Sequence, residues 1–434
     1  MVKPSTTSSA LTSMGSLQVL ICLIVTYFIF AILLNSVGTV ILQSIETFKI
    51  SKTAASALEG FKDLPIALVS FFVASYLPRF GFKPAMLLGM GCVAITCALM
   101  PLFSSFFMTK MLFMSVGISF ALIKVSVYAL LGLISATQKH HASNMNIVEG
   151  CFMVGVLSGY WLFAHFIDPQ NPASNSWLNV YWLLALGCLL NMVLIGLTQF
   201  PKLASPENTT VTVAGNEASE ATGITSMLSL LALPFVLMFI LCAFFYVLIE
   251  QGIGTWLPTF NKDVIGLANN LSVQITSIFA ACLAIGRLGA GVILRRMHWF
   301  TFLAFCITAM AILMLSIIPL TWGIDASLQI TQWHDIPAAA FALPLIGLFM
   351  APIYPAINSV VLTALPKHKH ASMTGLIIIF SALGGTLGSL ITGTIFDYFN
   401  GQTAFYFMLI PMSILLFSLF MYRLKLEKTS PDVQ

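Results

Sequence analysis

Apolar residues fall in twelve long runs along this chain, separated by short polar or basic connections. The runs lie near 17–43, 56–77, 84–105, 109–136, 143–167 and 177–200, then near 226–257, 271–294, 299–322, 336–364, 371–397 and 402–423. Each matches the ~20 mostly apolar residues that a helix needs to cross roughly 30 Å of hydrocarbon. The first run, Leu17 to about Gln43, exceeds the apolar core of a signal peptide and no small-residue cleavage site follows it, so it reads as a span. Between the two sets lies 201–225, with three acids, one lysine, many Ser, Thr and Gly, and no apolar period. That composition predicts a flexible linker. The expected organisation is an all-α membrane protein of twelve transmembrane helices: one six-helix half at 1–200, a cytoplasmic linker at 201–225 and a second half at 226–434.

Composition agrees. Of 434 residues, 59% are hydrophobic and 8% charged, where a soluble domain would carry roughly 25% charged residues. All eight cysteines stand in apolar runs with no C-x-x-C pair, which reads as packing rather than disulfides or metal ligands. The net charge of +4 matters through its placement. With a cytoplasmic N-terminus, the inner connections hold twelve Lys and Arg (among them Arg79, Lys83, Lys139, Arg295, Arg296 and Lys367) against four outside, Lys49, Lys52, Lys110 and Lys262. The positive-inside rule therefore places both termini in the cytoplasm, and Lys62, Lys124 and Arg287 are left within or at the ends of spans.

The two halves echo each other. Gly155 and Gly159 precede Asp168 in the fifth run as Gly384 and Gly388 precede Asp397 in the eleventh, by 13 and 9 residues in each case. An i, i+4 glycine pair lets a neighbouring helix approach closely. Two six-span halves with a substrate site between them are the layout of the major facilitator superfamily. The loop Tyr76 to Gly89 resembles a degenerate form of that superfamily's G-x-L-x-D-R-x-G-R-K, with Arg79, Gly81 and Lys83 matching and Pro78 in place of the acid. Gly286-Arg287 opens a stretch resembling its G-R-x-x-G element. Three further stretches are similar to the fucose permease branch of sugar–proton symporters: Tyr246 to Trp256, Ala351 to Ser359 and Asn146 to Phe152. The resemblance implies a major facilitator fold, with Arg79, Gly81, Lys83, Gly286 and Arg287 in conformational gating. The sequence departs from that branch where Ser36 follows Asn35 in place of an acid, and where Lys124 stands in the fourth span in place of another. Coupling through the branch's own carboxylates is thereby put in question.

An ionisable group at mid-bilayer costs about 2.5–3.5 kcal/mol or more and persists when paired or facing a cavity. Lys124 lies roughly 21 Å, and Glu149 roughly 9 Å, from the cytoplasmic side by helical rise. The consecutive spans four and five are antiparallel, so the lysine is expected to reach towards the glutamate, as a switchable ion pair or as a fixed structural one. Glu250 lies mid-span beside Gly252 and Gly254, which leave room for a ligand or water. A carboxylate there suits a proton or sodium carrier; a glutamate bonded to nearby backbone is the alternative reading. Arg287 reads as a clamp on a neighbouring helix end. In the superfamily's cavity-lining spans stand Asn35, Tyr246, Trp256, Tyr354 and Asn358. Amides and aromatics suit a sugar, although Trp256 also fits a membrane-interface anchor. His140, His141, His368 and His370, with the lysines beside them, read as basic turns rather than a metal site.

No G-x-x-x-x-G-K-[ST] occurs to bind a nucleotide, nor an H-E-x-x-H or G-x-S-x-G that would make an enzyme. The expectation is a monomeric secondary transporter in the plasma membrane (the inner membrane of a bacterium), surrounded by lipid and with no nucleic-acid partner. It takes a small sugar-like or organic-anion solute, with no cofactor beyond a coupling H+ or Na+. Export of drug-like or siderophore-like compounds is the alternative.

Overall fold

The computed structural model of the protein describes residues 13–135, 137–201, 230–327, 329–366 and 369–429. Apart from Pro201, the linker at 201–225 lies outside the described residues. Six helical spans precede it: Ser13–Asn35 continued by Val37–Phe48, then Lys52–Phe80, Phe82–Leu102, Phe106–Ile134, Gln138–Phe166 and Val180–Leu197. Six follow: Pro234–Gly254 with Leu257–Asp263, Asn269–Ile293, Trp299–Leu315 with Ile317–Thr321, a broken tenth span ending in Ile353–Ala364, then His370–Tyr398, and Gly401–Phe407 with Leu409–Thr429. The described residues form no strand, only a bridge of Leu267 with Ile330. Eleven of the described helices are long and apolar enough to cross a membrane. The twelfth, Lys52–Phe80, is 29 residues long and carries Lys52, Glu59, Lys62, Asp63 and Arg79. At 1.5 Å per residue it reaches ~43 Å, which also suffices to span. Its charges are what set it apart.

Local chemistry places the helix ends. Ser105, Thr137 and Asn400 each accept a backbone N–H three residues on, as N-caps do. Pro258 restarts span seven after its break at Thr255 and Trp256, because proline's fixed φ suits a first helical turn. Pro344, Pro352 and Pro355 divide span ten, since each removes a backbone donor. Span one is interrupted at Ser36, whose hydroxyl donates to Leu33 O at 2.8 Å.

Both glycine pairs sit where helices touch. A Cβ on Gly155 would lie 2.8 Å from Phe28 O, and one on Gly159 3.4 Å from Ile32, both on span one. Gly384 and Gly388 press still more closely on the seventh span, where a Cβ would strike Phe244 O and Leu248 O. The fifth span thus packs on the first as the eleventh packs on the seventh. The first and last six spans meet chiefly where span two packs on eleven, five on eight, and one on seven. All eight cysteines are unpaired thiols.

Candidate functional site

The breaks in spans one and seven face each other. Between them lies a cavity of about 90 Å³, bounded by Asn35, Lys62 and Tyr160 from the first six spans and by Glu250, Gln251 and Thr255 from the last six. Interrupted helices expose backbone polar groups, and such backbone is tolerated at membrane depth where it lines a cavity.

Lys62 brings a group of charges on span two to the edge of this cavity. Glu59, Lys62 and Asp63 follow the helix at i, i+3 and i+4, so they share one face. The Lys62 ammonium is ion-paired with Glu59 Oε1 and lies 3.4 Å from Asp63 Oδ1. Glu59 is fully buried. Its other oxygen lies 3.1 Å from the Thr255 hydroxyl of span seven, which also stands 3.2 Å from Gln251 Oε1. Asp63 occupies space left by Gly385 of span eleven, where a Cβ would come within 2.6 Å of Oδ2. The triad is therefore built where span two meets spans seven and eleven. Sequence reading left Lys62 as a stray charge within a span and passed over both acids; the signal available was E-x-x-K-D inside an apolar run.

Glu250 lines the same cavity. Tyr246, one turn earlier, donates its hydroxyl to Glu250 Oε1 at 3.1 Å, so side-chain rather than backbone bonding holds the carboxylate. The Tyr246 ring stacks on Tyr354 at 5.4 Å and 24°, and Tyr354 is 2.9 Å from the Ser381 hydroxyl. Asn358, one turn beyond Tyr354, has a buried Oδ1 without a hydrogen-bond partner. Asn35 lines the cavity while its amide donates to Ala31 O at 2.9 Å.

Other expected site residues lie elsewhere. Trp256 is fully buried and neither lines this cavity nor anchors at a membrane interface. Its indole N–H donates to Ser389 O at 3.0 Å, and its ring packs on Phe396 and fills the space over Gly393. The expected contact of Lys124 with Glu149 is not made, for no ion pair within 4.0 Å joins them. Tyr128, one turn along span four from Lys124, reaches the glutamate first and donates to its Oε1 at 2.9 Å. The Lys124 ammonium instead lies over the Phe120 and Tyr128 rings, 5.8 and 5.9 Å from their centroids.

Arg287 does not clamp a helix end. It reaches from span eight across the seam to Met153 Sδ of span five, at 3.8 Å, and its charge also acts on Glu250. Gly286 permits close packing of spans eight and ten, since a Cβ there would strike Leu348 O. Gly81 has φ +93°, a conformation that glycine adopts without steric cost. Lys83 Nζ donates to Gly196 O at 2.6 Å and Thr198 O at 3.1 Å, holding the carbonyl end of span six. The Arg79 side chain, Lys367 and His368 fall outside the described residues.

The face opposite the start of span one is tied shut between the two sets of spans. Glu46 pairs with Lys262, and Lys52 pairs with Asp263 at 2.8 Å. Asp397 of span eleven accepts from the first backbone N–H groups of span two, Lys52 and Thr53, at 3.4 and 3.3 Å, and from the Thr53 hydroxyl at 3.0 Å. Asp168, its counterpart in span five, instead accepts from Gln170 and Asn171 in its own loop.

Twelve spans around a charged, interrupted mid-membrane cavity, closed towards one face by ion pairs, define an integral membrane transporter rather than an enzyme. The model of the Major Facilitator Superfamily matches residues 19–331 and 326–434, and the chain belongs to that family. It is similar to "Bypass of stop codon protein 6" of Saccharomyces cerevisiae, 23% identical over 393 residues, which covers 87% of this chain and 77% of that protein. Among solved structures it resembles a bacterial homologue of the human lysosomal transporter Spinster in an inward-facing, occupied conformation. The TM-score is 0.71 at 16% identity, over 96% of this chain and 97% of that one. It also resembles the major facilitator transporter FucP in an outward conformation, with a TM-score of 0.59 at 16% identity, over 95% and 99% of the two chains. At such identities the likeness shows the fold.

Proposed function

We propose that the chain is a monomeric secondary transporter of a small polar or anionic organic solute, working by alternating access in the plasma membrane with proton movement coupled through Glu59, Lys62 and Asp63. The triad carries the reading, because two carboxylates and one ammonium are buried where spans two, seven and eleven meet. Such groups are costly inside a membrane and mark ion or solute paths. Together they hold one net negative charge, with Glu250 beside them, so uptake of a proton brings the site nearer neutrality. A proton on Glu59 removes the charge that holds Lys62 and weakens the acceptor for the Thr255 hydroxyl. Span two is then released from span seven at the point where the two sets of spans touch.

Orientation follows from the twelve-to-four bias of basic residues, which puts both termini in the cytoplasm. The rim held by Glu46–Lys262 and Lys52–Asp263 then faces outward, and the conformation described is closed on that side. The test is uptake into proteoliposomes under imposed proton or sodium gradients, across sugars, organic anions and amino acids. We expect a proton gradient to drive accumulation of one of these classes. If Glu59→Gln and Asp63→Asn proteins accumulated that solute as fully as the parent, the coupling assignment would be wrong; accumulation driven by sodium alone would reassign the ion.

A further inference from the structure

We infer that Lys124 anchors the charged group of the solute, and that this solute is a planar aromatic monocarboxylate. The inference deepens the transporter reading above and rests on it for the meaning of the bound ligand. Lys124 is half-buried in span four, and among the described residues no carboxylate lies within 4.0 Å of its ammonium. Glu149 makes no ion pair with it and instead accepts from the Tyr128 hydroxyl through Oε1. An ammonium at membrane depth with no anion in contact is costly, and a ligand carboxylate would supply the missing partner through charge-assisted hydrogen bonds.

The walls specify the rest of the ligand. Phe120 and Tyr128 flank Lys124 at i−4 and i+4, and Tyr27 of span one and Phe152 of span five close the group. The Tyr27 ring lies 6.1 Å from Phe120, 6.3 Å from Tyr128 and 5.7 Å from Phe152. The Phe120 and Tyr128 rings beside the ammonium offer faces and edges against which a flat ring of the ligand can stack. The Tyr27 hydroxyl is buried and turned towards the Tyr128 hydroxyl, which itself bonds Glu149. The nearby Glu149 charge opposes a second negative group, so a monoanion fits where a dianion is repelled. The neighbour of Phe152, Met153, is met by Arg287 from span eight, which sets this group of residues beside the seam that must open and close in transport.

Binding of radiolabelled benzoate to the purified full-length protein in detergent, by equilibrium dialysis, tests this without any transport step; thermal melting reports folding. Saturable benzoate binding is expected, with benzamide, its neutral analogue, and the Lys124→Gln variant each at least about tenfold weaker. Lys124→Arg is expected to bind more tightly than Lys124→Gln. No saturable benzoate binding, benzamide bound equally well, or undiminished binding by a folded Lys124→Gln protein would each overturn the inference. Should Lys124→Gln fail to fold, Tyr128→Phe takes its place. That change frees Glu149 to turn to Lys124, so benzoate must bind more weakly, and unchanged binding counts against the proposal. Benzoate binding without proton-driven uptake would defeat the coupling reading alone, and proton-driven uptake of another solute without benzoate binding would defeat this one alone.

Discussion

Lys62 and Lys124 both lie within spans of the first six, yet their surroundings are opposite. Lys62 stands between Glu59 and Asp63, contacts that its own helix provides at i−3 and i+1. Lys124 has aromatic faces at i−4 and i+4, and the one acid nearby is occupied by a tyrosine. A lysine enclosed by carboxylates holds helices together until a proton changes the balance. One facing rings has no anion of its own and is poised to take one from outside the protein. On the function and the inference proposed above, the two lysines divide coupling from substrate recognition.

Replacing each lysine by methionine gives the sharpest test of that division. Lys62→Met strands two buried carboxylates and should cost about 3–5 kcal/mol, the range found when one partner of a buried pair is removed. Lys124→Met removes a costly cation with no carboxylate in contact, breaks no pair, and should leave stability unchanged or raise it. Melting in detergent gives both numbers, and equal losses would erase the distinction.

A second contrast sets Asp63→Asn against Glu149→Gln in proteoliposomes. Asp63→Asn should lower proton-driven accumulation by at least about tenfold, a 1.4 kcal/mol effect, while solute exchange without a gradient continues. Glu149→Gln should keep the gradient dependence and alter solute affinity instead. A loss of gradient dependence in both would place the two acids on one proton path.

The glycine pairs sharpen the comparison of the two sets of spans. At Gly388 an added Cβ strikes the Leu248 carbonyl, so Gly388→Ala should cost about 1–3 kcal/mol by overpacking. At Gly159 the nearest atoms would be 3.4 Å away, and the gain in helix propensity of about 1 kcal/mol offsets that crowding. Gly159→Ala should therefore melt close to the parent. The smallest effect belongs to the rim: Asp263→Asn removes a partly exposed pair worth roughly 0.2–1 kcal/mol. It should raise labelling of an introduced Asn35→Cys thiol by an impermeant maleimide added from the rim side, by up to about fivefold. Unchanged labelling would mean that the rim pairs do not hold that face closed.

Much of the fold was legible in the sequence because lipid makes each span an almost independent unit, fixed by its apolar length. The glycine spacing in runs five and eleven was likewise readable, and each pair meets the first helix of its own set of spans. Glu250 and Tyr246 share a face at i, i+4, so their contact follows from one helix. The Glu59–Lys62–Asp63 group was equally local, but a search for apolar length treats charges in a span as blemishes and passed over it. Lys124 and Glu149 failed for the opposite reason: the antiparallel order of two spans sets their depth, while helix rotation decides which side chain arrives first.

The sequence by itself determined the twelve helices, the proline-marked breaks in spans seven and ten, and the glycines at which helices can touch, since each depends on residues within about a turn of one another. Tertiary structure alone decided that Thr255 reaches Glu59, that Asp397 caps the start of span two rather than its own loop, and that Trp256 is sealed against Ser389. Those contacts join residues 133 to 345 positions apart. They depend on the rotation and tilt of helices whose outer surfaces lipid leaves indifferent, and close packing along the seams settles both.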